Sequence, residues 1–128
     1  MKSKSFEQLR VYRLAEDLAD SLWDIAGAWN SLARDTVGKQ GIRAADGIGA
    51  NIAEGYGRGS YADNRRFVRM ARGSLYEVRH WLRRAYRRRL LTRTQIERLK
   101  TTLDNLGPQL NAYLKSIGPG TGRNHPND

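Results

Sequence analysis

Apolar residues recur every three or four positions in four separate stretches of this chain, the spacing of a helix with one buried face. The first stretch starts between Phe6 and Leu9 and ends near Trp29. Val11, Leu14, Ala15, Leu18, Leu22, Ile25, Ala26 and Trp29 form its seam, and Glu16, Asp17, Asp20 and Asp24 cluster on the far side. Residues 30–34 read as a connection, with Asn30 and Ser31 as candidate caps for the second helix. The second stretch covers 35–56, with Val37, Gly41, Ala44, Ala45, Ile48, Ile52 and Tyr56 in its seam. The fourth covers 92–117. Thr92 and Gln95 have the spacing of a capping box, and Ile96, Leu99, Leu103, Leu106, Leu110, Tyr113, Leu114 and Ile117 make a bundle seam. Pro108 removes one backbone hydrogen bond inside it and is expected to kink the helix.

The third stretch, 60–90, carries most of the chemistry. Ser60 is placed to cap it, with Asp63 at the capping-box position. On a helical wheel Phe67, Met70, Ala71, Leu75, Val78, Trp81, Leu82 and Ala85 share one side. Arg65, Arg69, Arg72, Arg79, Arg83 and Arg87 take the opposite side together with Tyr76 and His80, and Arg66, Arg84 and Arg88 widen that stripe on one flank. At a rise of 1.5 Å per residue the row from Arg65 to Arg87 is about 33 Å long, about one turn of a nucleic-acid duplex. Like charges one turn apart, such as Arg79 and Arg83, each destabilise a helix by roughly 0.2–0.5 kcal/mol. A polyanion or an acidic protein surface would offset that cost. A solvated face screened by salt is the alternative.

No segment alternates with the period of a strand, so the expected fold is all-α, an antiparallel up-down-up-down four-helix bundle. The length of 128 residues suits one domain, over 1–117. Residues 118–128 are rich in Gly, Pro and Asn and are expected to form a disordered tail. The second helix is an anomaly. Gly38, Gly41, Gly47 and Gly49 each cost roughly 1 kcal/mol against Ala in a helix interior. Small residues on two faces, Gly47 and Ala50 among them, lead to the expectation that a second subunit covers one face. Tight packing within a single chain is the alternative.

Charge sharpens the picture. The net charge is +10. Residues 58–98 hold 13 Arg and three acids, so the whole excess lies there and the rest of the chain is neutral. A local excess points to a binding surface, with nucleic acid as the commonest polyanionic partner, acidic protein second and a membrane third. The acidic strip of the first helix could pair with the arginine row of a neighbouring subunit. The chain has no cysteine, which excludes disulfides and thiolate chemistry and fits a cytoplasmic protein. The N-terminus leads into no apolar signal region, and no stretch approaches the ~18 apolar residues of a membrane span.

Arg43-Ala44-Ala45, Asn51-Ile52-Ala53-Glu54-Gly55-x-Gly57-Arg58, Arg66-Phe67 and Gly73-Ser74-Leu75-x-Glu77 together resemble the signature of the four-helix-bundle proteins encoded in intervening sequences of bacterial 23S rRNA genes. The opening Phe6-x-x-Leu9-x-Val11-Tyr12-x-x-Ala15-x-x-Leu18 is similar as well, with Tyr12 where the family often has Trp. The resemblance covers residues 6–117. More distantly it extends to the accessory variability determinant of diversity-generating retroelements, a basic, barrel-shaped pentamer that binds nucleic acid and a reverse transcriptase. It implies a ring-like homo-oligomer, a cytosolic homopentamer. The chain departs from the family in its weight of arginine and in lacking the proline often found before the second helix.

On physical grounds the signature residues Arg43, Asn51, Glu54, Gly55, Gly57 and Arg58 read as structural. Asn51 and Glu54 are expected to close the second helix, and Glu54, disfavoured at a helix C-terminus, needs a cation such as Arg58 or an arginine of the third helix. Gly55, Gly57 and Gly59 are expected to supply left-handed turn geometry. A phosphate-cradling loop is the sharper alternative, but no strand precedes it and no Gly-Lys-Ser/Thr comes after it. Glu77-x-x-His80 matches one element of di-iron bundles, which need two, and His125 lies in the tail. No nucleophile–base pair is visible, so no catalytic activity, metal or cofactor is expected. The expected function is oligomeric binding of RNA or DNA through phosphates, by Arg65, Arg66, Arg69, Arg72, Arg79, Arg83, Arg84, Arg87 and Arg88, with Tyr76 available to stack on a base. The alternative is an assembly or adaptor protein whose basic face meets acidic protein.

Overall fold

A computed structural model describes residues 5–119. Residues 1–4 and 120–128, with most of the expected tail and His125, lie outside the described residues. A 3-10 turn at Phe6–Gln8 leads into α1 (Arg10–Gly27). An α-helical turn at Ser31–Ala33 and a π-helical turn at Arg34–Gly38 run directly into α2 (Lys39–Tyr56). Then come α3 (Tyr61–Arg87) and α4 (Arg93–Ser116). No strand occurs among the described residues. None of their helices is long and apolar enough to cross a membrane.

Local chemistry sets the helix starts. The Asn30 side chain accepts from the Ala33 amide at 3.0 Å, so helical structure begins at Ser31, upstream of the expected Asp35. The π turn then directs both Val37 and Gly38 inward, where a Cβ on Gly38 would lie 3.3 Å from the Ala26 Cβ. Ser60 accepts from the Asp63 amide at 3.1 Å. Thr92 and Gln95 complete both halves of the capping box. α4 continues through Pro108.

α3 ends in an unusual way. The Leu90 amide donates to the Ala85 carbonyl and the Arg89 amide to the Tyr86 carbonyl, which is the Schellman pattern. The left-handed position is filled by Arg89, at φ +60°, where glycine is the usual choice. The next carbonyl, that of Leu90, accepts from Trp29 Nε1 at 2.9 Å, tying the α3–α4 link to the end of α1.

The helices pack as a bundle in which α2 lies along α1 and α3, and α4 packs against α1 and α3. Leu18, Leu22, Ile48, Ile52, Val68, Val78, Leu106 and Leu110 are fully enclosed at its centre. The glycines of α2 explain its low helix propensity. A Cβ on Gly41 would lie 3.3 Å from Leu22 Cδ2, and one on Gly49 would lie 3.4 Å from the Tyr12 ring, so α1 approaches very closely on one side. On the other side a Cβ on Gly47 would lie 3.2 Å from Ser74 Oγ of α3. The face expected to meet a second subunit is therefore met at Gly47 by α3 of the same chain, while Ala50 is exposed. Close packing on two sides is the correct inference from the composition, and a second subunit is not needed to account for it.

Candidate nucleic-acid interface

α3 buries Asn64, Val68, Ala71, Leu75, Val78 and Ala85. This stripe is turned from the expected one. Met70, placed in the seam by the wheel, is 47% exposed, and Asn64 and Val68 are inside instead. The cause is the approach of α2 at Gly55. A Cβ there would lie 2.8 Å from both Asn64 Oδ1 and Phe67 Cβ. That contact draws the Asn64 side of α3 inward.

The turn leaves most of the arginine row in solvent. Arg66, Arg69, Arg79, Arg83, Arg87 and Arg88 are exposed, while Arg65, Arg72 and Arg84 are half-buried. Arg66 reaches Asp63 at 3.7 Å, through an exposed pair of little energetic weight. Among the described residues no other member of the row has a carboxylate of its own chain within 4.0 Å. One edge leans on α4. Arg65 donates to the Ile117 carbonyl at 2.9 Å, and Arg72 donates to Asn111 Oδ1 at 3.4 Å. Arg79 stands 5.8 Å from the centre of the Tyr76 ring, and that ring is 63% exposed.

Glu77 and His80 are both occupied with Trp81. Trp81 Nε1 donates to Glu77 Oε2 at 3.2 Å, and the His80 ring meets the indole edge-on at 4.7 Å. Among the described residues no three His, Asp or Glu are grouped so as to hold a metal ion.

Two of the expectations for the signature residues are corrected, those for Asn51 and for the loop glycines. Glu54 pairs with Arg58 at 3.5 Å, and Arg58 also reaches Asp63 at 3.8 Å. The Arg58 and Arg66 guanidinium groups lie 5.2 Å and 4.6 Å from the centre of the Phe67 ring. Arg43 is exposed. Asn51 does not close the helix end: its Nδ2 donates to the Gly47 carbonyl at 2.9 Å, one turn back inside α2. Of the three loop glycines only Gly59 is left-handed, at φ +88°. Gly57 has φ −86°, and Gly55 is helical and buried, kept small by its contact with α3.

Residues 7–112 match the family described as 23S rRNA-intervening sequence protein. The chain belongs to that family. No curated protein matches it. The family match takes in the Asn51–Arg58 signature, the whole arginine row and Asn111. Sequence reasoning missed the part played by α4, where Asn111 and Ile117 receive ridge arginines. Asn111 lies off the α4 seam and carries no motif, so only its position across from Arg72 reveals it.

Proposed function

We propose that this member of the 23S rRNA-intervening sequence protein family is a non-enzymatic, oligomeric binding protein that holds RNA or DNA by its phosphates, with little sequence specificity. The observation that carries this is the row of guanidinium groups on α3, most of them exposed and, Arg66 apart, without a carboxylate partner among the described residues. Arginine's planar fork suits phosphate, and a row about 33 Å long can run along a strand or a duplex. No base-reading motif is visible in the sequence, so charge and shape dominate. The bundle is read as antiparallel, up-down-up-down, and the assembly as a ring-like homopentamer acting in the cytoplasm, as the family resemblance implies.

A specific observation favours a second reading, in which the basic face meets acidic protein. Trp23 is 65% exposed on α1 between the exposed Asp20 and Asp24. A groove of about 500 Å³ between α3 and α4 has an apolar lining that includes Leu82, Leu99 and Leu103, beside the exposed cations Arg79 and Arg83, while Lys100 at its edge is paired with Asp104 at 2.9 Å. Acidic protein carrying an aromatic anchor, from a neighbouring subunit or another chain, fits that groove.

Gel-shift titration with RNA and duplex DNA across ionic strength separates the two. Phosphate binding predicts log K falling steeply with log salt, with a slope smaller by about 1 after Arg69→Ala or Arg83→Ala. Absence of any shift at low salt leaves the protein-adaptor reading. The mass of the intact assembly tests the pentamer.

A further inference from the structure

We infer that the recess between α3 and α4 beside Tyr76 is a pocket for one unpaired base, and that the ligand class of the arginine face is therefore single-stranded nucleic acid. This rests on the nucleic-acid reading above and narrows it.

The recess holds about 150 Å³, roughly five times the share of one water molecule in the liquid. α4 contributes Gly107 and Pro108 to its wall, with Gly107 facing Leu75 and Arg79 of α3. A Cβ there would stand in ordinary contact, 3.5 Å from Arg79 Nη2 and 3.9 Å from Leu75 Cδ2, so a larger side chain at this position would take up the recess. Glycine inside a helix costs roughly 1 kcal/mol, and α4 sets Pro108 directly after it, so this point in α4 is built for space and not for helix strength.

The lining has what a base needs and little that a core needs. Leu75 and Pro108 give apolar surface. Tyr76 offers an aromatic face that stays largely in solvent, and Arg79 stands against that ring at 5.8 Å. Asn111 accepts from Arg72 through Oδ1, which leaves its amide hydrogens as donors toward ring nitrogens and carbonyls. Arg72 and Arg79 straddle the recess two turns apart, about 10 Å along the helix, where the phosphates on either side of an inserted base would run. Arg69 and Arg83 extend the cationic track in both directions.

A duplex cannot use this arrangement. Its bases are stacked and paired, and a recess wedged between two helices is closed to them unless a base leaves the stack. A single strand presents each base free, and stacking on an aromatic ring contributes roughly 1–3 kcal/mol per base without regard to sequence. The pocket thus adds single-strand preference to the charge-driven binding of the ridge, and it does so without sequence readout.

The test uses the full chain in its native assembly. Oligonucleotides of RNA and of DNA, each with one 2-aminopurine, are titrated at fixed salt as single strands and as duplexes. The expected result is tighter single-strand binding, with 2-aminopurine fluorescence changed on binding in the single strand only. Tyr76→Ala should weaken single-strand binding about 5- to 150-fold, leave duplex binding and the salt slope unchanged, and be rescued by Tyr76→Phe. Gly107→Leu, which fills the recess without altering charge, should abolish the fluorescence change. Equal affinity for both forms, or a Tyr76→Ala variant as tight as the parent, overturns the pocket while leaving the phosphate-binding ridge intact. No binding of either form at low salt overturns both.

Discussion

The guanidinium of Arg65, near the start of α3, donates to the carbonyl of Ile117, which caps the end of α4, at 2.9 Å across 52 residues of sequence. Carbonyls at a helix end lack intrahelical partners, and the negative end of the helix dipole favours a cation there. Arg65 thus belongs to the fold as well as to the basic face. Arg65→Ala should lower stability by about 1–3 kcal/mol, whereas Arg69→Ala, at an exposed site with no such bond, should change it by less than about 0.5 kcal/mol. Chemical denaturation of the two variants checks this.

Gly55 and Gly73 are both helical glycines with opposite expected responses to alanine. At Gly55 the added Cβ meets Asn64 and Phe67 at 2.8 Å, in a contact between two packed helix faces. Gly55→Ala should cost about 1–3 kcal/mol by forcing α2 and α3 apart. At Gly73 nothing lies within 4 Å of the added atom. Gly73→Ala should therefore stabilise the protein by roughly 0.5–1 kcal/mol through reduced chain entropy. Thermal melting of both proteins should show shifts of opposite sign.

Arg89 occupies the left-handed position of the α3 C-cap at φ +60°. A side chain there costs roughly 1–2 kcal/mol, which glycine does not incur. Arg89→Gly should raise the melting temperature although it removes a charged side chain. If electrostatic repulsion along the arginine row were the larger effect, Arg88→Ala should raise it by as much.

Tyr113 is packed beside Asn64 in the core. Burial pushes its phenol up from the ordinary 10 to about 12, with the neighbouring Asn64 side chain opposing the shift. Below pH 10 both folded and unfolded chains keep the proton, and the residue adds no pH dependence. Between pH 10 and 12 the unfolded chain releases the proton while the folded chain holds it, so stability falls as pH rises, by up to about 2–3 kcal/mol. Tyr113→Phe should flatten the alkaline limb of stability measured between pH 9 and 12 without a matching change near pH 7.

The helices and the basic character of one face could be read from the residues in order, because both depend on local chemistry. Asn30, Ser60 and the Thr92–Gln95 pair satisfy amides within a turn of themselves, and apolar spacing marks which side of each helix must leave water. The wheel of α3 nevertheless placed Met70 inside, because periodicity gives the width of an apolar face and not the direction from which neighbours press on it. That direction comes from Gly55 against Asn64 and Phe67, a contact between two helices.

The chain's order of residues by itself determined four helices, a cationic ridge and a second helix that must be closely packed on two sides. Only the packed bundle decided that α1 and α3 of the same chain provide that packing, that Arg65 and Arg72 reach across to α4, and that Gly107 lines a recess next to Tyr76. The physical reason is range. Capping and amphipathic spacing act over three or four residues, whereas the shape of a groove is set by two helix surfaces whose closest points lie far apart along the chain.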